Sequence, residues 1–93
     1  MNLLTADEID RKLRASNGWT LTPRGIEKRF EMENFLSVMN LVNRVADLAE
    51  EANHHPDITI NYNKVTFTLT THDAGGITEK DFDLAQRIEA IAP

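Results

Sequence analysis

The segment Glu50-Glu51-Ala52-Asn53-His54-His55-Pro56-Asp57 sets two of the chain's three histidines side by side, and His72 is the third. Imidazole has an unperturbed pKa of about 6.5, so it can give or take a proton near neutral pH without a metal or a cofactor. Three such rings at element ends make a candidate acid–base site. Carboxylates accompany them. Glu50 lies one helical turn before His54, a spacing that lets it orient that ring or simply sit as a solvated helix residue. Asp81 could hold an imidazole or only complete a helix cap. A plainer reading of the histidines stands beside this one. His54 caps the last helix carbonyls, favoured by the negative end of the helix dipole, while His55 and His72 are merely exposed. Zinc is disfavoured on spacing, because neighbouring histidines on a bending backbone diverge and no helical His pair four residues apart is present. The chain has no cysteine, which removes disulfides, thiolate metal sites and cysteine nucleophiles together.

These side chains need elements to place them. After Asn34 as N-cap, Phe35, Val38, Met39, Val42, Val45, Ala46, Ala49 and Ala52 recur at spacings of three and four, which predicts a long amphipathic helix. Leu36, Leu41 and Leu48 widen its apolar face and suggest a flank left for a further contact. Pro56 cannot extend the helix and pushes His55 out of helical geometry, so the helix finishes near Asn53 and the paired histidines fall on a helix-to-strand junction. Ile58, Ile60 and Tyr62 then alternate with polar residues. After a turn near Asn63, Lys64 to Thr71 alternates again, with Val65, Phe67 and Leu69 on one face and Thr66, Thr68, Thr70 and His72 on the other. His72 is thus expected to end a strand on its hydroxyl-bearing side. Beyond the Asp73-Ala74-Gly75-Gly76 loop, Thr78 and Asp81 open a last helix whose apolar face is Phe82, Leu84, Ala85, Ile88 and Ile91.

Earlier in the chain, Thr5 and Glu8 form a capping box for a helix to about Ala15, stopped by Ser16-Asn17-Gly18. A hairpin follows, from Trp19-Thr20-Leu21 through the Thr22-Pro23-Arg24-Gly25 turn to the Ile26–Met32 strand. Trp19 and Phe30 could form an aromatic stacking surface, although aromatic residues in a hairpin more often belong to the core. Arg24 and Lys64 read as solvated. The order is helix, strand, strand, helix, strand, strand, helix. Short hairpins imply a mostly antiparallel sheet with amphipathic helices on one side of it, an α+β class.

At 93 residues the chain is one domain, residues 1–93, too small for a large internal cavity, so a sizeable site is expected in a surface cleft, which a second subunit could complete. A net charge of −5 without a Lys/Arg cluster argues against nucleic acid or an anionic membrane as partner. No stretch approaches the roughly 20 apolar residues that span a bilayer. The first residues lack the basic and apolar segments of a signal peptide, so a soluble, cytoplasmic protein is expected.

Taken together, Glu50, His54-His55-Pro56, Tyr62, His72 and Asp81, with Gly18-Trp19 before them and the closing Gly76-to-Ile91 segment, resemble the pterin-4a-carbinolamine dehydratase family. The resemblance covers nearly the whole chain. It implies a four-stranded antiparallel sheet with three helices packed on one face. It implies a dehydratase that converts 4a-hydroxytetrahydropterin to quinonoid dihydropterin and water, in recycling of the cofactor of aromatic amino acid hydroxylases. By the same resemblance, no cofactor or metal is needed, His54, His55 and His72 are catalytic, and His55 and His72 also hold the pterin. Glu50 and Asp81 orient the imidazoles. Family members form homodimers or homotetramers, and some serve as dimerisation cofactors of a transcription factor, so a non-catalytic interaction module is the alternative reading.

Overall fold

The Thr5–Glu8 box starts the first helix. In the computed structural model, which describes residues 2–93, α1 spans Ala6–Ala15. Thr5 Oγ1 accepts from the Glu8 N–H at 3.1 Å, and Glu8 Oε1 accepts from the Thr5 N–H at 2.8 Å. The hydrogen bond donated by the Thr5 N–H, followed by that with the Thr5 hydroxyl, holds the Glu8 carboxyl below the ordinary glutamate value.

Two hairpins and two further helices complete the chain. Strands β1 (Thr20–Thr22) and β2 (Gly25–Glu31) are joined at Pro23-Arg24, and helix α2 runs from Phe35 to Ala52 with Asn34 as its N-cap. Strands β3 (Asp57–Asn61) and β4 (Lys64–Leu69) turn at Tyr62-Asn63, and helix α3 spans Glu79–Ile91. The four strands lie in the order β1-β2-β4-β3, every neighbouring pair antiparallel. Together with the three helices this is the expected α+β architecture.

Register explains which face is covered. Ile26 stands opposite Leu69 and Phe30 opposite Val65, so alternation gives β2 and β4 one apolar face, and the helices pack there. Ile26, Val38, Val45, Val65, Phe67, Leu69 and Ile88 are fully out of solvent. The rings of Trp19, Phe30 and Phe67 meet edge to face, with centroids 6.4 and 5.8 Å apart. Trp19 and Phe30 are therefore core residues, not a stacking surface for a ligand. Gly25 sits against the end of β4 with φ +147°, where an added Cβ would lie 2.2 Å from the Leu69 carbonyl oxygen.

Three expectations change in detail. Leu41 is buried and Leu48 half-buried against the core, so neither is left as a free flank; the large apolar residues of α2 that stay exposed are Phe35 and Leu36 at its start. Strand β3 stops at Asn61, and Tyr62 takes a turn conformation with φ +53°. Strand β4 stops at Leu69, after which Thr71 makes an isolated bridge to Gly76, so that His72 opens a 3-10 turn (His72–Ala74) instead of ending the strand.

Candidate active site

The C-terminus of α2 decides where the paired histidines go. Asn53 adopts the left-handed conformation, φ 49° and ψ 45°, which asparagine tolerates better than most residues. The Asn53 N–H then reaches the Glu50 carbonyl at 3.2 Å and the His54 N–H reaches the Ala49 carbonyl at 3.0 Å, a Schellman closure. His54 thus caps the helix with its backbone, leaving its ring for another purpose. The abrupt turn also takes His54 off the helical path, so the one-turn spacing from Glu50 no longer applies.

The His54 ring is buried, and its Nε2 lies 2.6 Å from Asp81 Oδ1. Asp81 is wholly out of solvent on the first turn of α3. Its other oxygen, Oδ2, accepts from Thr71 Oγ1 at 2.9 Å and from the Thr78 N–H at 2.9 Å. Both roles raised for Asp81 from the sequence, holding an imidazole and completing the Thr78 capping box, are filled at once by its two oxygens. Such a carboxylate fixes ring orientation and keeps the proton on Nε2 when the imidazole is neutral. Among the described residues no buried side-chain nitrogen or oxygen lacks a partner, and Nε2 is the His54 ring atom that has one; Nδ1 is therefore the edge of the ring that reaches solvent.

His55, one residue on, is exposed, and its Nε2 lies 2.5 Å from Glu50 Oε2, both side chains being largely in solvent. The sequence spacing pointed Glu50 at His54; the structure puts it on His55, because the left-handed Asn53 swings the chain back over the helix end. His72 is exposed and follows Thr71 directly, so the Thr71–Asp81 bond ties the end of β4 to the carboxylate that holds His54. The C-terminus of α2, the end of β4 and the N-terminus of α3 thereby meet around Asp81.

Thr71 was missed as a site residue, yet the signal existed. Continuing the Val65, Phe67, Leu69 alternation by two places puts Thr71 on the buried face, where a hydroxyl needs a partner. A separate surface cavity of about 380 Å³ opens between α1 and α3, bounded by Lys12, Trp19, Phe82 and Glu89, and none of the histidines lines it.

Fold and site define a small α+β protein carrying two carboxylate-held imidazoles where a helix meets a sheet. The chain belongs to the pterin 4 alpha carbinolamine dehydratase family, whose model matches residues 2–91. A relative from a Picosynechococcus strain, provisionally named a pterin-4-alpha-carbinolamine dehydratase, is 51% identical over 95% of this chain and 96% of its own. One from Acidobacterium capsulatum with the same provisional name is 50% identical over 98% and 99%. Among solved structures, a transcriptional coactivator/pterin dehydratase from Brucella melitensis superposes with a TM-score of 0.94 at 35% identity, covering 99% of this chain and 100% of that one. A pterin dehydratase-like protein identified as a RuBisCO assembly factor in the alpha-carboxysome is more distant, with a TM-score of 0.66 at 25% identity over 80% of this chain and 88% of that one. The family and the names of these relatives support a pterin carbinolamine dehydratase. Among the described residues no helix is long and apolar enough to cross a membrane.

Proposed function

We propose that this chain dehydrates 4a-hydroxytetrahydropterin to quinonoid dihydropterin and water by histidine acid–base catalysis, recycling in the cytoplasm the cofactor of an aromatic amino acid hydroxylase. The observation that carries this reading is the His54 ring, held by a buried carboxylate through Nε2 while Nδ1 stays open. Loss of water from a carbinolamine needs a proton delivered to the departing C4a hydroxyl and a proton removed from a ring nitrogen. The C4a–O bond breaks, and the electrons left by the ring N–H form the C=N bond. His54 as an imidazolium is the general acid toward the hydroxyl, and the Asp81 carboxylate stabilises that cation, as a buried aspartate does for a catalytic histidine elsewhere. His55 and His72 position the pterin and take the second proton, with Glu50 orienting His55. The chemistry asks for no metal and no cofactor.

Self-association is part of this reading. Strand β3 has an unpaired edge, and Ile58 and Ile60 on it and Tyr62 in the turn after it are exposed, as are Phe35 and Leu36 on α2. Strand edges and apolar patches of this kind are ordinarily covered, which supports a homodimer or homotetramer. The same surface serves the alternative reading, an interaction module.

The deciding assay follows water loss from freshly generated 4a-hydroxytetrahydropterin by ultraviolet absorbance, with and without chelator, for wild type and a His54→Ala/His55→Ala double variant. Chelator-resistant acceleration that collapses in the variant supports the proposal. No acceleration over the spontaneous rate by the folded wild-type protein overturns it in favour of the interaction module.

A further inference from the structure

The bonds behind Asp81 have a direction. Thr71 Oγ1 lies 2.9 Å from Asp81 Oδ2 and 2.8 Å from Thr78 Oγ1, and all three side chains are buried. A hydroxyl has one proton to give. With Asp81 ionised, its oxygens only accept, so the Thr71 proton points to Oδ2 and the Thr78 proton points to Thr71. Thr78 Oγ1 in turn accepts from the Lys80 N–H at 3.3 Å. Every proton then has an acceptor.

Placing a proton on Asp81 Oδ2 reverses the row. Thr71 must accept from Asp81 and donate to Thr78, whose own hydroxyl proton loses its acceptor in a buried position, which disfavours that arrangement. A proton on Oδ1 would leave the row in place but would remove the charge that the Thr71 O–H and the Thr78 N–H stabilise at Oδ2. We infer that Thr71 and Thr78 are positioning residues that favour the carboxylate form of Asp81 while His54 changes protonation, so that the travelling proton is carried on His54 Nδ1 instead of on the aspartate. The inference rests on His54 being the acid of the proposed dehydration for its catalytic meaning, but the proton's location is a property of the free protein.

Two measurements separate these. The first follows the Asp81 carboxyl ¹³C and His54 ring ¹⁵N resonances of the intact, labelled protein through an acid titration without substrate. For wild type and Thr71→Ser, the proton taken up is expected on His54 Nδ1, with Nε2 protonated throughout and the carboxyl ionised. For Thr71→Val, which can neither donate to Asp81 nor accept from Thr78, the carboxyl is expected to take a share of that proton. A wild-type carboxyl that protonates against a neutral ring overturns the inference, as does a Thr71→Val titration indistinguishable from wild type. Should Thr71→Val fail to fold, the wild-type and Thr71→Ser titrations decide it alone.

The second measurement is dehydration kinetics. Thr71→Val is expected to lower kcat by about 10–100-fold, the range found for residues that orient a ligand from behind, with KM little changed and Thr71→Ser recovering wild-type behaviour. An unchanged kcat in an active, folded Thr71→Val protein counts against the inference. A wild type with no turnover but the expected resonance pattern removes the dehydratase reading and leaves the proton assignment standing.

Discussion

His54 and Asp81, 27 positions apart in the chain, meet at 2.6 Å, the aspartate wholly out of solvent and the ring nearly so. Asp81→Asn preserves the size of the side chain while replacing an acceptor by an amide. The amide removes the stabilisation of the His54 imidazolium and permits the wrong ring tautomer. The expected result is a fall in kcat of about 10²–10⁴-fold, the range for loss of acid–base function, with KM close to wild type. Steady-state kinetics at neutral pH check this, and a kcat within twofold of wild type contradicts it.

The two histidine–carboxylate pairs differ in surroundings, and stability should separate them. Glu50 and His55 side chains are 76% and 60% exposed, so Glu50→Gln should change unfolding free energy by less than about 0.5 kcal/mol. Asp81→Ala strips a cap from α3 and leaves the Thr71 hydroxyl and the His54 ring without their acceptor. It should cost about 2–4 kcal/mol. Urea unfolding of both variants provides the comparison, and equal costs would mean that burial is not what distinguishes them.

Gly25 is a constraint on the hairpin that leads toward the site. A methyl group there meets the Leu69 carbonyl at 2.2 Å on a backbone whose φ of +147° already disfavours any side chain. Gly25→Ala should lower stability by at least about 3 kcal/mol, read as a shift in urea midpoint. A midpoint equal to wild type contradicts the close approach of β2 to β4.

Acid should remove the contribution that Glu8 makes to the cap of the first helix. Glu8 titrates below its ordinary value of 4.5 because Thr5 bonds its charged form. A group with a lowered folded pKa releases its proton more readily in the folded protein. Its contribution is therefore complete above the unfolded value and fades as the pH falls through the folded one. The stability difference between wild type and Glu8→Gln should shrink as pH falls through that interval. A difference that stays constant or grows toward acid is the opposite outcome.

The free edge of β3 carries the fifth prediction. Ile60 is exposed beside the unpaired edge, and Ile60→Lys adds a charge where a second sheet would approach. Sedimentation velocity should show the assembly of the wild type shifted toward monomer in the variant. A wild type that is monomeric at micromolar concentration removes the homo-oligomer proposal.

Much of the fold was legible because the relevant signals are local. Thr5 with Glu8, Asn34, Pro56, and Thr78 with Asp81 mark helix ends by caps and breakers, and the alternation of Val65, Phe67 and Leu69 marks a covered strand. The site was legible by residue type and less so by pairing. The spacing of Glu50 and His54 assumes a continuing helix, and the left-handed Asn53 ends it one residue too early for that geometry. Asp81 reaches His54 only through the packing of α3 beside α2, a contact that no spacing encodes. Leu41 looked available for a partner because a wide apolar face does not reveal how much of it the sheet will cover.

Asp81 caps a helix with the same carboxylate that grips His54, and this has a consequence for descent. A duplicated gene released from any need for proton transfer would still be held to aspartate at this position, since its loss weakens the fold itself. Glu50 and His55, pairing only with each other on the surface, would be free to drift. Among copies of this fold, retention of the exposed pair is therefore the more informative mark of a working site, and retention of the buried aspartate the less informative one.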